Sequence, residues 1–252
     1  MKKLILRFMQ NNGYDIVKLN KKEKNGVAVD MESAFADLYL QCKPYTMTSI
    51  ERMYSLFKSV EYVVKNNIEG DFVECGVWRG GSSMMIAMAL QYFGSTDRRI
   101  YLYDTYEGMS EPTEHDKRFD GLTAEQQLGQ EDKAIATSVW CYADLNDVQN
   151  NMNATKYPQN NIHFVKGKVE DTIPNVMPIK IALLRLDTDW YASTYHELKY
   201  LFPLLAKTAP LIIDDYGHWQ GAREAVHTYF KENNINILLN RIDYTGRIGI
   251  KL

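Results

Sequence analysis

Acidic side chains stand at the ends of two apolar segments of the 252-residue chain. Asp187 ends IALLRLD and Asp189 lies two residues on, while PLIIDD ends in Asp214 and Asp215. If both segments are parallel strands of one sheet, their carboxyl ends meet at the same rim. Magnesium prefers a few carboxylates together with water and substrate oxygens. Adjacent aspartates without a cation would repel each other. The pattern predicts a divalent metal held by Asp187, Asp214 and Asp215, with Asp187 or Asp189 as a base; a plain acidic turn is the alternative.

A glycine-rich turn, ECGVWRGGSS, follows the first predicted strand. Trp78 occupies the position of the middle glycine in a dinucleotide fingerprint, and Gly81 stands where a Walker A loop needs lysine. The turn therefore favours a ligand that carries adenosine but no phosphate. Asp104 ends the next strand, 28 residues beyond Gly76, where nucleoside-binding folds place the carboxylate that holds the ribose hydroxyls. The alternatives are an ordinary β–α turn and a helix-capping aspartate.

Other common catalytic patterns are missing from the sequence. The five histidines show no metalloprotease spacing, which disfavours a zinc hydrolase, and no Gly-x-Ser-x-Gly elbow indicates a serine hydrolase. The net charge of −3 supplies no basic excess to neutralise phosphates, so a nucleic-acid partner is not expected.

The elements that must position these residues alternate between strands and helices. This alternation predicts an α/β fold with a mainly parallel, doubly wound sheet, and two consecutive strands at the end predict an antiparallel hairpin. The predicted strands are residues 71–75, 100–104, 162–167, 181–187, 210–215, about 235–240 and 246–250.

Capping patterns predict where the helices begin. They are Thr48-x-x-Glu51, Thr123-x-x-Gln126, Asp144-x-x-Asp147 and Thr194-x-x-Glu197. Arg52, in the first of these helices, is expected to be a solvated charge.

The domain organisation is predicted as an arm followed by one domain. Residues 1–28 are basic and polar and form the arm, and residues 29–252 form the domain. Within the domain, residues 29–69 are a helical lid and first helix. Residues 105–142 are too long for a passive loop and are predicted to be a substrate-side insertion.

The three cysteines show no metal-binding spacing, and an odd number disfavours a disulfide framework. A reducing, cytoplasmic location is expected. The amino terminus lacks a signal-peptide cleavage pattern, and no apolar run is long enough to span a membrane.

Several longer segments together resemble one family. They are YTMTSIERMYSLFKSVEYVVKNNIEGDFVECGVWRGGSS, YLYDTYEGM, LLRLDTDWYASTYHEL and LIIDDYGHWQGAREAVHTYF. They are similar to the macrocin O-methyltransferase (TylF/MycF) family, which acts on antibiotic sugars, and the similarity runs from about residue 30 to the carboxyl terminus. The resemblance implies a Rossmann-like class I methyltransferase with a seven-stranded sheet, an N-terminal helical lid, S-adenosylmethionine, Mg²⁺ and a homodimer or higher homo-oligomer.

Site residues carry over from the resemblance by position. Asp104 matches the ribose-binding acid, and Asp187, Asp214 and Asp215 match the metal triad, with Asp187 also a candidate base. The complete set of expected cofactor-binding residues is Tyr45, Thr46, Met47, Glu74, Gly76, Trp78, Arg79, Gly80, Ser82, Asp104, Glu170 and Asp171. Residues 110–145 depart most from the family, so the acceptor stays open between macrolide, aminocoumarin, polysaccharide and nucleotide-linked sugars.

The expected reaction is methyl transfer from S-adenosylmethionine to a sugar hydroxyl, with Asp187 or Asp189 accepting the proton. Two alternatives remain at this point. One is a binding module for S-adenosylmethionine that has lost catalysis. The other is a nucleotide-sugar or NAD-dependent oxidoreductase, which the missing middle glycine and the absence of a Tyr-x-x-x-Lys pair disfavour.

Overall fold

A computed structural model describes Met9 and residues 27–28, 30–133, 135 and 138–252. The chain divides into two compact units, Met1–Ala36 and Asp37–Leu252. The arm predicted for residues 1–28 lies outside the described residues except for Met9, Val27 and Ala28.

The described helices and strands alternate through the chain as the sequence predicts. The helices are α1 Ser33–Cys42, α2 Ile50–Lys65, α3 Gly81–Tyr92, α4 Ala124–Gln130, α5 Leu145–Ala154, α6 Val169–Thr172, α7 Tyr191–Leu201 and α8 Gln220–Glu232. The strands are β1 Asp71–Cys75, β2 Ile100–Asp104, β3 Ile162–Lys166, β4 Ile181–Leu186, β5 Pro210–Ile213, β6 Asn240–Arg241 and β7 Arg247–Ile250. None of the described helices is both long and apolar enough to cross a lipid bilayer.

The seven strands form one sheet in the order β3-β2-β1-β4-β5-β7-β6. Strands β1 to β5 pair in parallel, and β7 runs antiparallel to both β5 and β6. The predicted class I fold and terminal antiparallel pair are therefore confirmed. The strand order reverses between β1 and β4, and in such sheets ligands bind at the carboxyl ends of the strands beside this reversal.

Helices cover both faces of the central strands, which explains their nearly unbroken apolar sequences. All six residues of β4 are buried, and Arg185 is the one charged residue among them. The predicted strand at 235–240 is wrong in position, because residues 235–239 form no strand and β6 overlaps the prediction only at Asn240. Strand β6 is exposed, as is common for an edge strand.

Two of the predicted helix caps are wrong. Helix α2 is capped by Ser49, whose hydroxyl accepts the amide of Arg52, and Thr48 instead lies beside the buried Arg185. Thr194 is a buried residue inside α7, which begins at Tyr191. The caps predicted at Thr123 and Asp144 are confirmed by their side-chain hydrogen bonds.

Trp190, the residue before α7, makes no capping hydrogen bond with its side chain. Asp116 caps this helix instead. Its buried carboxylate accepts the amide of Tyr191 at 2.8 Å and both the amide and the hydroxyl of Thr113, at 2.7 and 2.8 Å. A carboxylate at a helix amino terminus also faces the positive end of the helix dipole. Asp116 thereby ties the segment 105–142 to the helix that follows β4.

An apolar cluster holds the same segment against the domain. Ala124 and Leu128 of α4 pack with Trp190, Trp219 and Ala222, and the two indole rings meet edge to face at 4.9 Å. The described part of the segment 105–142 is thus packed against residues at the starts of α7 and α8.

Candidate active site

The structure brings Asp187, Asp214 and Asp215 together at the carboxyl ends of β4 and β5. One carboxylate oxygen from each lies within 4.8 Å of the others. The backbone at these strand ends is fixed by the ladder, because the Asp187 amide donates to Cys75 O and the Asp214 amide to Leu186 O. The predicted convergence of these three side chains is therefore observed.

Arg185 lies beneath the three carboxylates and binds two of them. Its side chain is 2% exposed and contacts Asp187 Oδ2 and Asp214 Oδ1 at 2.7 Å each. It also contacts Glu74 Oε1 at 2.5 Å. Burying a guanidinium is costly unless its donors are paired, and these contacts supply the partners. Arg185 therefore fixes the spacing of the strand ends of β4 and β5.

A second arginine reaches the cluster from α2. Arg52 contacts Asp214 Oδ2 through Nη1, and its Nε lies 2.9 Å from Asp243 Oδ2. Its side chain is only 13% exposed, so the expectation of a solvated charge is wrong. The sequence gives no local indication, because both partners come from segments more than 150 residues away.

Carboxyl groups outnumber guanidiniums around this cluster. Arg52 and Arg185 contact the side chains of Glu74, Asp187, Asp214 and Asp243, and Asp189 and Asp215 line the same cavity. Asp215 Oδ2 is buried and has no hydrogen-bond partner among the described residues. Burial raises the pKa of Asp187 and of Asp215 well above the usual range, and neighbouring carboxylates add to the effect. Hard oxygen donors, a surplus of carboxyl groups over guanidiniums and an unpartnered oxygen fit a divalent cation.

Asp189 lies on the turn that follows Asp187 and lines the same cavity. Its φ of 67° is uncommon for a residue other than glycine, and the turn aims its carboxylate at the rim. Burial and the charge of Asp187 raise the pKa of Asp189 to about 7. Beneath this turn, Thr188 donates its hydroxyl to the buried Glu197 at 2.9 Å.

The glycine turn packs against the end of β4 and against Tyr45 and Thr46 of the predicted lid. A Cβ on Gly76 would lie 2.0 Å from the Asp187 carbonyl oxygen, and one on Gly81 would lie 2.6 Å from the Tyr45 carbonyl oxygen. Both glycines are thus needed for close backbone approach. Trp78 lines the cavity, and its indole Nε1 is buried without a hydrogen-bond partner among the described residues, which leaves a donor available to a ligand.

Asp104 holds the glycine turn from the neighbouring strand. Its Oδ2 accepts the amides of Val77 and Trp78 at 2.7 and 3.0 Å, and its Oδ1 accepts the amide of Tyr106 at 2.7 Å. Burial raises its pKa, which these backbone hydrogen bonds oppose. Asp104 therefore orders the loop in addition to lining the cavity.

Arg79 connects the turn to Tyr45 and to α5. Its Nε lies 2.8 Å from Asp147 Oδ2 and its guanidinium stacks over the ring of Tyr45 at 5.0 Å. Its side chain does not line the cavity. Arg79 thus contacts Tyr45 of the predicted lid from outside the cavity.

The cavity at this rim has a volume of about 440 Å³. Most of the predicted site residues line it: Tyr45, Thr46, Met47, Gly76, Trp78, Ser82, Asp104, Glu170, Asp187, Asp189, Asp214 and Asp215. Four predicted cofactor-binding residues do not, namely Glu74, Arg79, Gly80 and Asp171. Glu74 is buried in β1 against Arg185 and Ser83, so it supports the site from within the sheet.

An aromatic wall closes the side of the cavity beyond β5. His218 and Tyr244 line the cavity and share a 2.8 Å hydrogen bond, and Phe119 contacts both rings edge-on. Burial lowers the pKa of His218, and Arg118 adds to the effect. Aromatic rings of this kind present a flat apolar surface with one polar edge, which suits the face of a small ring.

Sequence reasoning missed several of these residues. Arg185 carried a visible indication, because an arginine inside an otherwise apolar strand needs buried partners. Tyr244 and Phe119 carried none, since only the fold brings the segment 105–142 and the β6–β7 turn to the same wall.

Comparison with known proteins decides the family. The model of the macrocin O-methyltransferase family, TylF, matches residues 2–248. The chain belongs to this family. A relative from Streptomyces olivaceus, 8-demethyl-8-(2,3-dimethoxy-alpha-L-rhamnosyl)-tetracenomycin-C 4'-O-methyltransferase, is 34% identical over 80% of this chain and 74% of its own. Mycinamicin III 3''-O-methyltransferase from Micromonospora griseorubida is 31% identical over 80% of this chain and 76% of its own.

A solved O-methyltransferase structure is similar to this chain. The O-methyltransferase NovP superposes with a TM-score of 0.72 and 28% identity over 82% of each chain. The resemblance inferred from the sequence is confirmed, and the oxidoreductase alternative loses its support because the relatives are methyltransferases.

Proposed function

We propose that this macrocin O-methyltransferase family member transfers the methyl group of S-adenosylmethionine to a sugar hydroxyl with the help of a divalent cation, in the first instance Mg²⁺. The observation that carries the proposal is the cluster of Asp187, Asp214 and Asp215 beside a cavity whose other wall is the glycine turn and Asp104. One relative is named as the 4'-O-methyltransferase of a rhamnosyl tetracenomycin, and another as the 3''-O-methyltransferase of mycinamicin III.

The residues of the glycine-turn side are suited to S-adenosylmethionine. Asp104 offers its carboxylate to ribose hydroxyls, Trp78 offers an unpartnered indole N–H, and Gly81 allows the lid to lie against the turn. Arg79 faces Asp147 instead of the cavity, so the turn presents no phosphate-binding cation of its own. When bound, S-adenosylmethionine supplies an electrophilic methyl group on a sulfonium, and the divalent cation supplies a Lewis acid that lowers the pKa of a nearby hydroxyl.

The contacts of each carboxylate indicate its role in the proposed reaction. Asp187 and Asp214 are each held by Arg185, which fits ligands whose position must stay fixed. Asp189 lines the cavity from the following turn, so we assign it the acceptance of the hydroxyl proton. With S-adenosylmethionine bound, the deprotonated oxygen would take the methyl group, and the sulfur would keep the electron pair of the carbon–sulfur bond. A positioned general base of this kind contributes about 10²–10⁴-fold.

The predicted lid and the predicted insertion exclude water from the site and hold the acceptor in position. Tyr45, Thr46 and Met47 cover the glycine turn, while Met109 and Cys141 come from the insertion. Excluding water strengthens the interactions between the carboxylates and a bound cation, and holding the acceptor near the methyl group removes most of the entropic cost of the encounter.

The test is formation of S-adenosylhomocysteine from S-adenosylmethionine by the full chain with a panel of rhamnosides. We expect product that depends on the glycoside, falls to background with EDTA and returns when Mg²⁺ is added. Turnover that EDTA leaves unchanged would contradict the metal, and turnover only with non-sugar hydroxyls would contradict the acceptor class.

A further inference from the structure

Arg52 contacts a predicted metal ligand and a second carboxylate at the same time. Its Nη1 contacts Asp214 Oδ2, and its Nε lies 2.9 Å from Asp243 Oδ2. Asp243 is held apart from the metal cluster by the β6–β7 turn, where its Oδ1 accepts the amides of Thr245 and Gly246. Arg52 therefore bridges the metal cluster and a carboxylate outside it.

Both carboxylate oxygens of Asp214 are engaged by arginines. Arg185 contacts Oδ1 at 2.7 Å and Arg52 contacts Oδ2. A divalent cation at this cluster would approach the guanidinium of Arg52 closely, and like charges within a few ångströms repel strongly where water is excluded. The cation and Arg52 cannot both keep their best position at Asp214.

The two arginines differ in how readily their side chains can move away from Asp214. Arg185 is anchored within β4 by Glu74 as well as by Asp187. Arg52 belongs to the first turn of α2, directly after the lid segment 45–48, and Asp243 gives it a partner away from the cluster. Ser49, the cap of this helix, also donates its hydroxyl to Asp243 at 2.7 Å. Asp243, the partner of Arg52 outside the cluster, is therefore already bonded to α2.

We propose that Arg52 is a competing counter-ion of the metal site, displaced from Asp214 towards Asp243 when the cation binds. This inference rests on the proposed function, because it takes the cluster to be a metal site. Arg52 lowers the affinity of the carboxylate cluster for the cation. When no cation is bound, Arg52 neutralises Asp214. It also couples the site to the lid, and such coupling is reciprocal: cation binding shifts the first turn of α2, and the state of the lid sets the affinity for the cation.

The test is calorimetric titration of the full chain with MgCl₂ in the absence of S-adenosylmethionine and acceptor. Arg52→Met should bind Mg²⁺ at least about tenfold more tightly than wild type, since it removes a nearby positive charge. Asp243→Asn should bind more weakly, because Arg52 then keeps to Asp214. Arg98→Met is the matched control: Arg98 bonds Gly70 O at the opposite edge of the sheet, and its loss should leave the affinity within about twofold.

Hydrogen exchange separates displacement from a general effect of charge. Adding Mg²⁺ to wild type should change the exchange of residues 48–56, and the same addition to Arg52→Met should leave that segment unchanged. An Arg52→Met variant that binds no more tightly than wild type would overturn the proposal while leaving the metal site intact. So would a wild-type protein in which the exchange of residues 48–56 does not respond to Mg²⁺. Absence of binding in both proteins would instead remove the metal from the proposed function.

Discussion

The main chains of Gly76 and Asp187 approach so closely that a Cβ on Gly76 would lie 2.0 Å from the Asp187 carbonyl oxygen. The contact joins the ends of β1 and β4, where the strand order reverses. Gly76 therefore has a structural role in setting the position of a predicted metal ligand, whatever it contributes to cofactor binding.

Replacing Gly76 by alanine should lower the free energy of unfolding by far more than the backbone strain of its positive φ alone would. Gly94 is the matched control, because its φ of +79° resembles the +82° of Gly76 and no atom lies within 4 Å of its missing Cβ. We expect Gly94→Ala to cost about 1 kcal/mol of unfolding free energy and Gly76→Ala to cost at least about 3 kcal/mol. Urea denaturation measures both. Equal losses would show that the contact with Asp187 is not tight in solution.

Two neighbouring aspartates should respond in opposite directions when their charge is removed. Asp214→Asn breaks ion pairs with Arg52 and Arg185 and leaves buried guanidiniums short of a partner, at a cost of roughly 3–5 kcal/mol. Asp215→Asn relieves repulsion within the cluster and should raise the melting temperature of the metal-free protein. Both should lose the stabilisation that Mg²⁺ gives to wild type.

Differential scanning calorimetry with EDTA and with Mg²⁺ measures these changes. If Asp215→Asn melts below wild type in EDTA, the crowding of the carboxylates is not a source of instability. If it keeps the full response to Mg²⁺, Asp215 is not a ligand.

Buried Glu197 predicts a dependence of stability on pH. Burial raises its pKa well above 4.5 in the folded chain, so its folded pKa exceeds its unfolded pKa. Its contribution to stability is therefore complete below about pH 4.5 and is lost as pH rises through the folded pKa. Glu197→Gln keeps an acceptor for the Thr188 hydroxyl but does not titrate.

The measurement is urea denaturation of wild type and Glu197→Gln at pH 5 and pH 8. The variant should gain stability relative to wild type between these two values, because only wild type has an acid at position 197 that must be deprotonated. A difference between the two proteins that stays constant with pH would contradict the raised pKa of Glu197.

The strand ends could be predicted from sequence because their signals are local. The apolar runs fix β4 and β5, and Asp187, Asp214 and Asp215 follow them directly, so their convergence needs only the parallel sheet. The caps at Thr123 and Asp144 were likewise local, with partners three residues away.

The errors arose where the partner is distant in sequence. Helix α7 begins at Tyr191 because Asp116, 75 residues earlier, accepts its first amide, and no capping pattern can show this. Arg52 was expected to be solvated because its partners, Asp214 and Asp243, lie near the other end of the chain. The domain boundary at residue 28, the homo-oligomer and the metal itself stay predictions.

The most direct test of the central claim is calorimetric titration of the full chain with S-adenosylhomocysteine. The comparison uses wild type, Asp104→Ala and Asp171→Ala, because Asp104 lines the cavity and Asp171 is an exposed carboxylate that does not. We predict saturable binding that Asp104→Ala weakens at least about tenfold, or roughly 1.4 kcal/mol, and that Asp171→Ala leaves unchanged. Failure of the folded wild-type protein to bind S-adenosylhomocysteine would contradict the proposed methyl transfer from S-adenosylmethionine.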